Sequence, residues 1–229
     1  MQDPFAAPSD TRQAILGAAF RALCDHGYAD LTISRIGEEF DKSPSLVYHH
    51  YDGKDELLVD LLGFLLDGFE ASVGSDEFDL SARDRIDAYV SATLNPGSVD
   101  DAYAPDAKFM TAIVELRAQA ASDEAYREHF DRSDRVFSAF LETAVREAAA
   151  DGSGDDKFGD ESGDEPLRGS DHLDAVTPEE VAGTVQTLAT GGMVRWVTTT
   201  DRDWVAPTRA GIDRYVDATL PRVAVDGPG

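Results

Sequence analysis

A single cysteine, Cys24, stands in 229 residues, so no disulfide forms within the chain and no cysteine-based zinc cluster can be assembled. Cys24 falls in an apolar helical stripe, which reads as a structural thiol. Lysine is scarce as well, with four against 16 arginines, 31 aspartates and 14 glutamates, and the net charge is -25. The most apolar run, Leu57 to Phe69, is broken by Asp60 and Asp67 and is shorter than the ~18 apolar residues a membrane span needs. No early segment joins a basic stretch to an apolar centre, so neither a signal peptide nor a membrane partner is expected and the chain reads as cytoplasmic. Long apolar and polar alternation is missing, which argues against any sheet. A nucleotide-binding glycine loop, a metal-spaced His/Asp/Glu set and a nucleophile turn are all missing. No enzyme, cofactor or metal is expected; Glu38-Glu39 and Glu179-Glu180 read as solvated faces or a cap.

The chain does hold 42% hydrophobic residues, enough for a core and too many for a disordered acidic chain. An Asp-rich, Lys-poor surface over such a core reads as built for molar salt, where the Debye length is about 3 Å and self-repulsion is suppressed. The expected host is a halophile.

Helical periodicity runs from Thr11 onward and predicts an all-α chain of about nine helices. Leu16, Phe20, Leu23 and Cys24 mark the first, with Asp10 as cap and Gly27 as stop. Thr32 caps a short helix to about Phe40, and Ser43-Pro44 opens another that ends near His50. Lys54 to about Val73 forms a long helix, and Ile86, Val90 and Leu94 mark a fifth that stops at Asn95-Pro96-Gly97. A sixth carries Phe109, Ile113 and Leu116; a seventh carries Phe130, Phe137, Leu141 and Ala144. Residues 151 to 174 hold nine acidic residues and five glycines, and read as an exposed, disordered insertion. Thr177-Pro178-Glu179-Glu180 is a complete helix start. Val181, Val185, Leu188, Gly192 and Trp196 define one face of the eighth helix. Pro207 opens the last, which bears Ile212, Tyr215, Val216, Thr219 and Leu220.

Residues 32 to 54, TISRIGEEFDKSPSLVYHHYDGK, describe two short helices that need a longer helix on each side to be stable. That arrangement fits a helix-turn-helix, whose second short helix enters the DNA major groove. The stretch from Thr11 to Leu66 resembles the N-terminal domain of TetR/AcrR-family transcriptional regulators. Its most specific parts are Thr32-Ile33-Ser34-Arg35-Ile36, Ser43 to Tyr51, and Lys54-Asp55-Glu56-Leu57-Leu58. Where the family usually has an Ala-Gly-Val-like turn, this chain has Phe40-Asp41-Lys42.

The resemblance implies a helix-turn-helix domain over residues 1 to 53, followed by a helical effector-binding and dimerisation domain over 54 to 229. It implies that Ser45, Leu46 and His49 face bases of a double-stranded operator, with Pro44 near a thymine methyl. Thr32, Ser43, Tyr48, His50, Tyr51 and Lys54 would hold phosphates. Tyr48 also fits a core aromatic of the small domain. His49 and His50 point about 100 degrees apart and cannot share one metal. The last two helices imply a homodimer interface, with Val185, Leu188, Gly192, Ile212, Tyr215 and Val216 as candidates. Gly191-Gly192 in mid-helix reads either as a close crossing or as tolerated glycine. Helices five to eight imply a pocket for an unknown small-molecule effector. Phe109, Met110, Ile113, Phe137, Phe140 and Trp196 are candidate walls and Arg117 a partner for an anionic group; plain core is the competing reading.

The implied function is a ligand-responsive repressor. Its rival is a helical protein-interaction or ligand-binding module without DNA binding. Charge favours the rival in dilute salt, because residues 1 to 70 carry five basic and 13 acidic residues. At molar salt that repulsion is screened and counterion release gives little help, so specific fit has to supply the affinity.

Overall fold

A computed structural model describes residues 4–40, 44–73, 80–97, 105–152 and 176–220. The described residues form nine α-helices and no strand. They are α1 (Thr11–Asp30), α2 (Ile33–Glu38), α3 (Val47–His50), α4 (Lys54–Val73), α5 (Ala82–Leu94), α6 (Ala107–Gln119), α7 (Glu124–Gly152), α8 (Pro178–Thr198) and α9 (Val205–Thr219).

Local chemistry sets most of the ends. Asp10 caps α1 by accepting from the Gln13 amide at 2.8 Å, and Gly27 breaks its regularity at φ 72, a left-handed value that suits glycine. Thr32 caps α2 through its hydroxyl, which accepts from the Arg35 amide at 3.2 Å. α2 ends at Glu38, two residues before the expected Phe40. Pro44–Leu46 forms a turn of 3-10 helix that runs straight into α3, so the expected second short helix is tighter at its start. At α8 the full capping box is present: Thr177 Oγ1 accepts from the Glu180 amide, and Glu180 accepts from the Thr177 amide at 2.7 Å. α9 starts at Val205, so Pro207 sits inside its first turn rather than at its head.

Two hydrophobic clusters organise the packing. The first joins α1, α2, α3 and the N-terminal half of α4 to Ala112 and Leu116 of α6 and to Tyr126 and Phe130 of α7. Its apolar content is therefore continuous across residue 53. Phe5, ahead of α1, is 4% exposed and packs on Phe20 and Phe64, with ring centroids 5.9 and 4.9 Å away. The second cluster joins α5, the C-terminal part of α7, α8 and α9 around Val90, Leu141, Val185, Ile212 and Val216. Cys24 is half-buried against the first cluster. The expected insertion and the Asp41-Lys42 turn lie outside the described residues, apart from the last turn of α7.

Candidate nucleic-acid interface

α3 has one buried side and one exposed side within a single turn. Val47 is fully buried and Tyr51 is 7% exposed, while Ser45, Tyr48, His49 and His50 face outward. Ser45, Tyr48 and His49 fall at i, i+3 and i+4, which puts them on one ridge. Tyr48 is 63% exposed, so the core reading of this residue is corrected: Val47, not Tyr48, fills the inward position. Leu46 is half-buried and packs on the first cluster. The 3-10 start of the helix turns it partly inward, which corrects the expectation of a solvent-facing leucine. Thr32 is exposed, Ser43 lies outside the described residues, and Pro44 opens the 3-10 turn.

One carboxylate of α4, Asp60, fixes this ridge from behind. Asp60 accepts from the Tyr51 hydroxyl and from both Nε and Nη2 of Arg12, which ties the end of α3 and the start of α1 to α4. Burial raises the Asp60 pKa, but Arg12 and Tyr51 outweigh it and hold the carboxyl below its ordinary value. Burial and Asp60 push the Tyr51 hydroxyl up. Tyr51 thus has a buried ring and a committed hydroxyl, and here it supports the ridge rather than extending it. At the other end of α1, Lys54 Nζ donates to the carbonyls of Tyr28 (3.1 Å) and Leu31 (3.4 Å) and lies 4.1 Å from the Tyr28 ring centroid. Lysine near the last carbonyls of one helix and at the head of another serves both.

The family model described as bacterial regulatory proteins, tetR family, matches residues 15–61, from α1 into α4. The chain is 30% identical over 88 residues to the HTH-type transcriptional regulator BetI of Brucella anthropi, covering 37% of this chain and 44% of that protein. It is 37% identical over 54 residues to the HTH-type transcriptional repressor AcnR of Corynebacterium glutamicum, covering 24% of this chain and 29% of that protein. A crystal structure of a TetR transcription regulator from Haloarcula marismortui superposes with a TM-score of 0.68 at 27% identity, over 91% of this chain and 97% of that one. Residues 15–61 thus match the tetR family, and the chain as a whole shares the fold of the Haloarcula marismortui regulator.

The matches to the curated relatives span less than half the length of those proteins. The family model ends at residue 61, within α4, and the shared fold continues behind it. There the structure brings the expected pocket residues into two separate places. Phe109 and Ile113 pack on the first cluster, where Phe109 meets Phe20 with centroids 5.8 Å apart. Phe137 and Phe140 meet Phe69 at 4.7 and 5.4 Å, and Phe137 meets Tyr89 at 5.7 Å. Met110 is buried, and Trp196 packs on the second cluster with a buried indole N–H that has no hydrogen-bond partner. Arg117 donates to both oxygens of Asp134 and lies over the Phe130 ring. Its charge is already answered, which corrects the expectation of a guanidinium open to an anion. A cavity of about 430 Å³ opens between α5 and α9 beside Ser91, Asn95 and Arg209, away from these residues.

The expected dimer residues also divide. Val185, Gly192, Ile212 and Val216 are buried by their own protomer. A Cβ on Gly192 would fall on Leu94, so the close crossing is with α5 of the same chain. Leu188, expected on the same face, is 42% exposed. At 100 degrees per residue it stands roughly 80 degrees from the centre of the buried stripe formed by Val181, Val185, Ala189 and Met193. Val194 is 40% exposed and nothing within 4 Å faces Gly191, while Tyr215 is half-buried. Sequence reasoning singled out Gly191 only as part of the Gly191-Gly192 pair and missed Val194, because one apolar stripe hides the weaker one beside it. It missed Asp55 and Asp60 because acids in an acidic chain give no local signal. Among the described residues no group of three or more His, Cys, Asp or Glu is placed to hold a metal, and no helix is long and apolar enough to cross a membrane.

Proposed function

We propose that this chain is a sequence-specific DNA-binding repressor that acts as a homodimer and releases its operator when a small molecule binds. The observation that carries the reading is the exposed ridge of Ser45, Tyr48 and His49, stiffened from behind by Val47 and Tyr51 within the stretch matched by the family model. Ser45 and His49 are the base readers; Tyr48, His50, Thr32 and Lys54 hold phosphates and set register. Leu188, Val194 and Gly191 form the α8 edge that a second copy covers, which spaces the two ridges on DNA. The unpartnered indole N–H of Trp196 supports an effector that brings a hydrogen-bond acceptor, since a buried donor is costly to leave unpaired. The protein works in the cytoplasm of a salt-adapted cell.

The test is fluorescence anisotropy with the DNA upstream of the protein's own gene, against scrambled DNA, in molar KCl. Specific binding that persists with a shallow salt dependence is expected, because a surface with net charge -25 has few counterions to release from phosphate. A folded dimer that binds both DNAs equally, or a steep loss of affinity with rising KCl, would overturn the reading in favour of the interaction module.

A further inference from the structure

Besides the exposed ion pair of Lys108 with Asp25, the head meets the helices behind it at a polar junction centred on Asp55. Asp55, in the first turn of α4, accepts at Oδ1 from the Tyr28 hydroxyl of α1 (2.9 Å) and from the Tyr126 hydroxyl of α7 (3.0 Å). Tyr126 is 1% exposed and meets the Tyr28 ring edge-on, with centroids 6.5 Å apart. Tyr28 is gripped on three further sides. Its amide donates to Glu115 of α6 at 2.7 Å, its carbonyl accepts from Lys54, and its ring lies beneath the Lys54 ammonium. The residue before it, Gly27, holds the left-handed backbone that aims this amide at Glu115, where a Cβ would approach Oε2 to 3.1 Å. Burial together with Asp55 pushes the Tyr28 hydroxyl up to about 12, so it stays a donor across the physiological range.

These contacts converge on the seat of Lys54. If Tyr126 shifts with α7, Asp55 loses a donor and Tyr28 loses the partner that fixes its ring. The carbonyls of residues 28 and 31 that hold Nζ then move with the end of α1. We infer that Tyr126 is a positioning residue for DNA binding: through Asp55 and Tyr28 it sets where Lys54 stands beside the reading ridge, although it touches no DNA itself. The inference rests on the proposed function, and it deepens that reading by naming the contact through which the helices behind α4 reach the ridge.

The test uses full-length protein in molar KCl and three variants: Tyr126→Phe, Lys54→Gln and the double variant. Tyr126→Phe removes a hydrogen bond to a carboxylate and Lys54→Gln removes a charge that holds phosphate, and each change should weaken specific DNA binding about tenfold. Because Tyr126 acts through Lys54, the double variant should bind about as weakly as Lys54→Gln alone rather than a hundredfold below wild type, a coupling that independent sites do not show. Amide exchange gives the second readout, independent of DNA. Tyr126→Phe, a change in α7, should speed exchange at residues 28 to 33 about tenfold while the melting temperature of α8 and α9 holds. Unchanged exchange there overturns the inference whatever the DNA does. Multiplicative losses in the double variant overturn it as well. Wild-type protein that fails to distinguish the upstream DNA while Tyr126→Phe still loosens residues 28 to 33 would sink the proposed function and leave the junction standing.

Discussion

The two hydrophobic clusters are stitched by different chemistry. In the first, three carboxylates are answered wholly or in part by neutral donors: Asp55 by two tyrosine hydroxyls, Asp60 by Tyr51 as well as Arg12, and Glu115 by a backbone amide. In the second, arginines carry the stitching. Arg83 reaches Asp217, Arg85 reaches Glu147, and Arg209 reaches Asp87 and Asp213, so that α5 is bound to α7 and α9 by charge. Molar salt weakens exposed ion pairs but leaves hydrogen bonds from hydroxyls largely untouched. Exposed ion pairs also join the first cluster's helices, Arg21 to Glu39 and Lys108 to Asp25, so the part of the ridge's support least dependent on ionic strength is the tyrosine hydroxyls at Asp55 and Asp60. The clusters differ in closure too. Phe5 closes the first with the chain's own N-terminal segment, whereas the second ends in the open α8 edge of Leu188 and Val194.

The sharpest way to break this division is from α6. Leu116 is fully buried in the first cluster although it follows the head by some 50 residues of chain. Leu116→Ala should cost about 2–5 kcal/mol and loosen α1 and α4 in amide exchange as much as Leu58→Ala does. Val185→Ala, in the second cluster, should leave those amides protected. Next comes the α5–α8 crossing. Gly192→Val drives a side chain into Leu94 and should cost about 1–3 kcal/mol, read as a lower melting temperature. Gly191→Ala, one residue away and facing open space in the protomer, should keep monomer stability and instead weaken dimerisation in analytical ultracentrifugation.

A smaller effect comes from pH. Burial, with Arg132 close by, lowers the pKa of His129 from 6.5 to about 4, even though Asp67 pulls it the other way. The folded state favours neutral imidazole, so this contribution is complete above pH 6.5 and is lost as pH falls toward 4. Urea midpoints should drop across that window, and His129→Gln should flatten the drop.

The helices were largely legible because their ends are written locally: Asp10, Thr32 and the Thr177/Glu180 box each act on an amide three residues away. The ridge was legible for the same reason, since with Val47 turned inward at the helix period the next three residues of α3 face outward. The exceptions are Leu46 and Tyr51, whose orientation depends on a 3-10 turn and on Asp60 nine residues further along. The pocket and the dimer edge were not legible. Aromatic residues at helical spacing fill space equally well against one another or around a ligand, and in this chain Phe69, Phe137 and Phe140 pack on one another. Arg117 looked available because Asp134 stands 17 residues away on another helix.

Gly17 lies under Phe5, where even a methyl group would stand 2.6 Å from the Phe5 Cβ. The two positions are thus inherited as one unit. A lineage that acquires any side chain at 17 must first move the segment that carries residue 5, because the contact is with a Cβ, and losing the aromatic that pins this segment is what lets it move. Across relatives of this chain, glycine at the middle of the first helix should therefore track an aromatic twelve residues earlier, a correlation that records the tucked segment even where no structure is known.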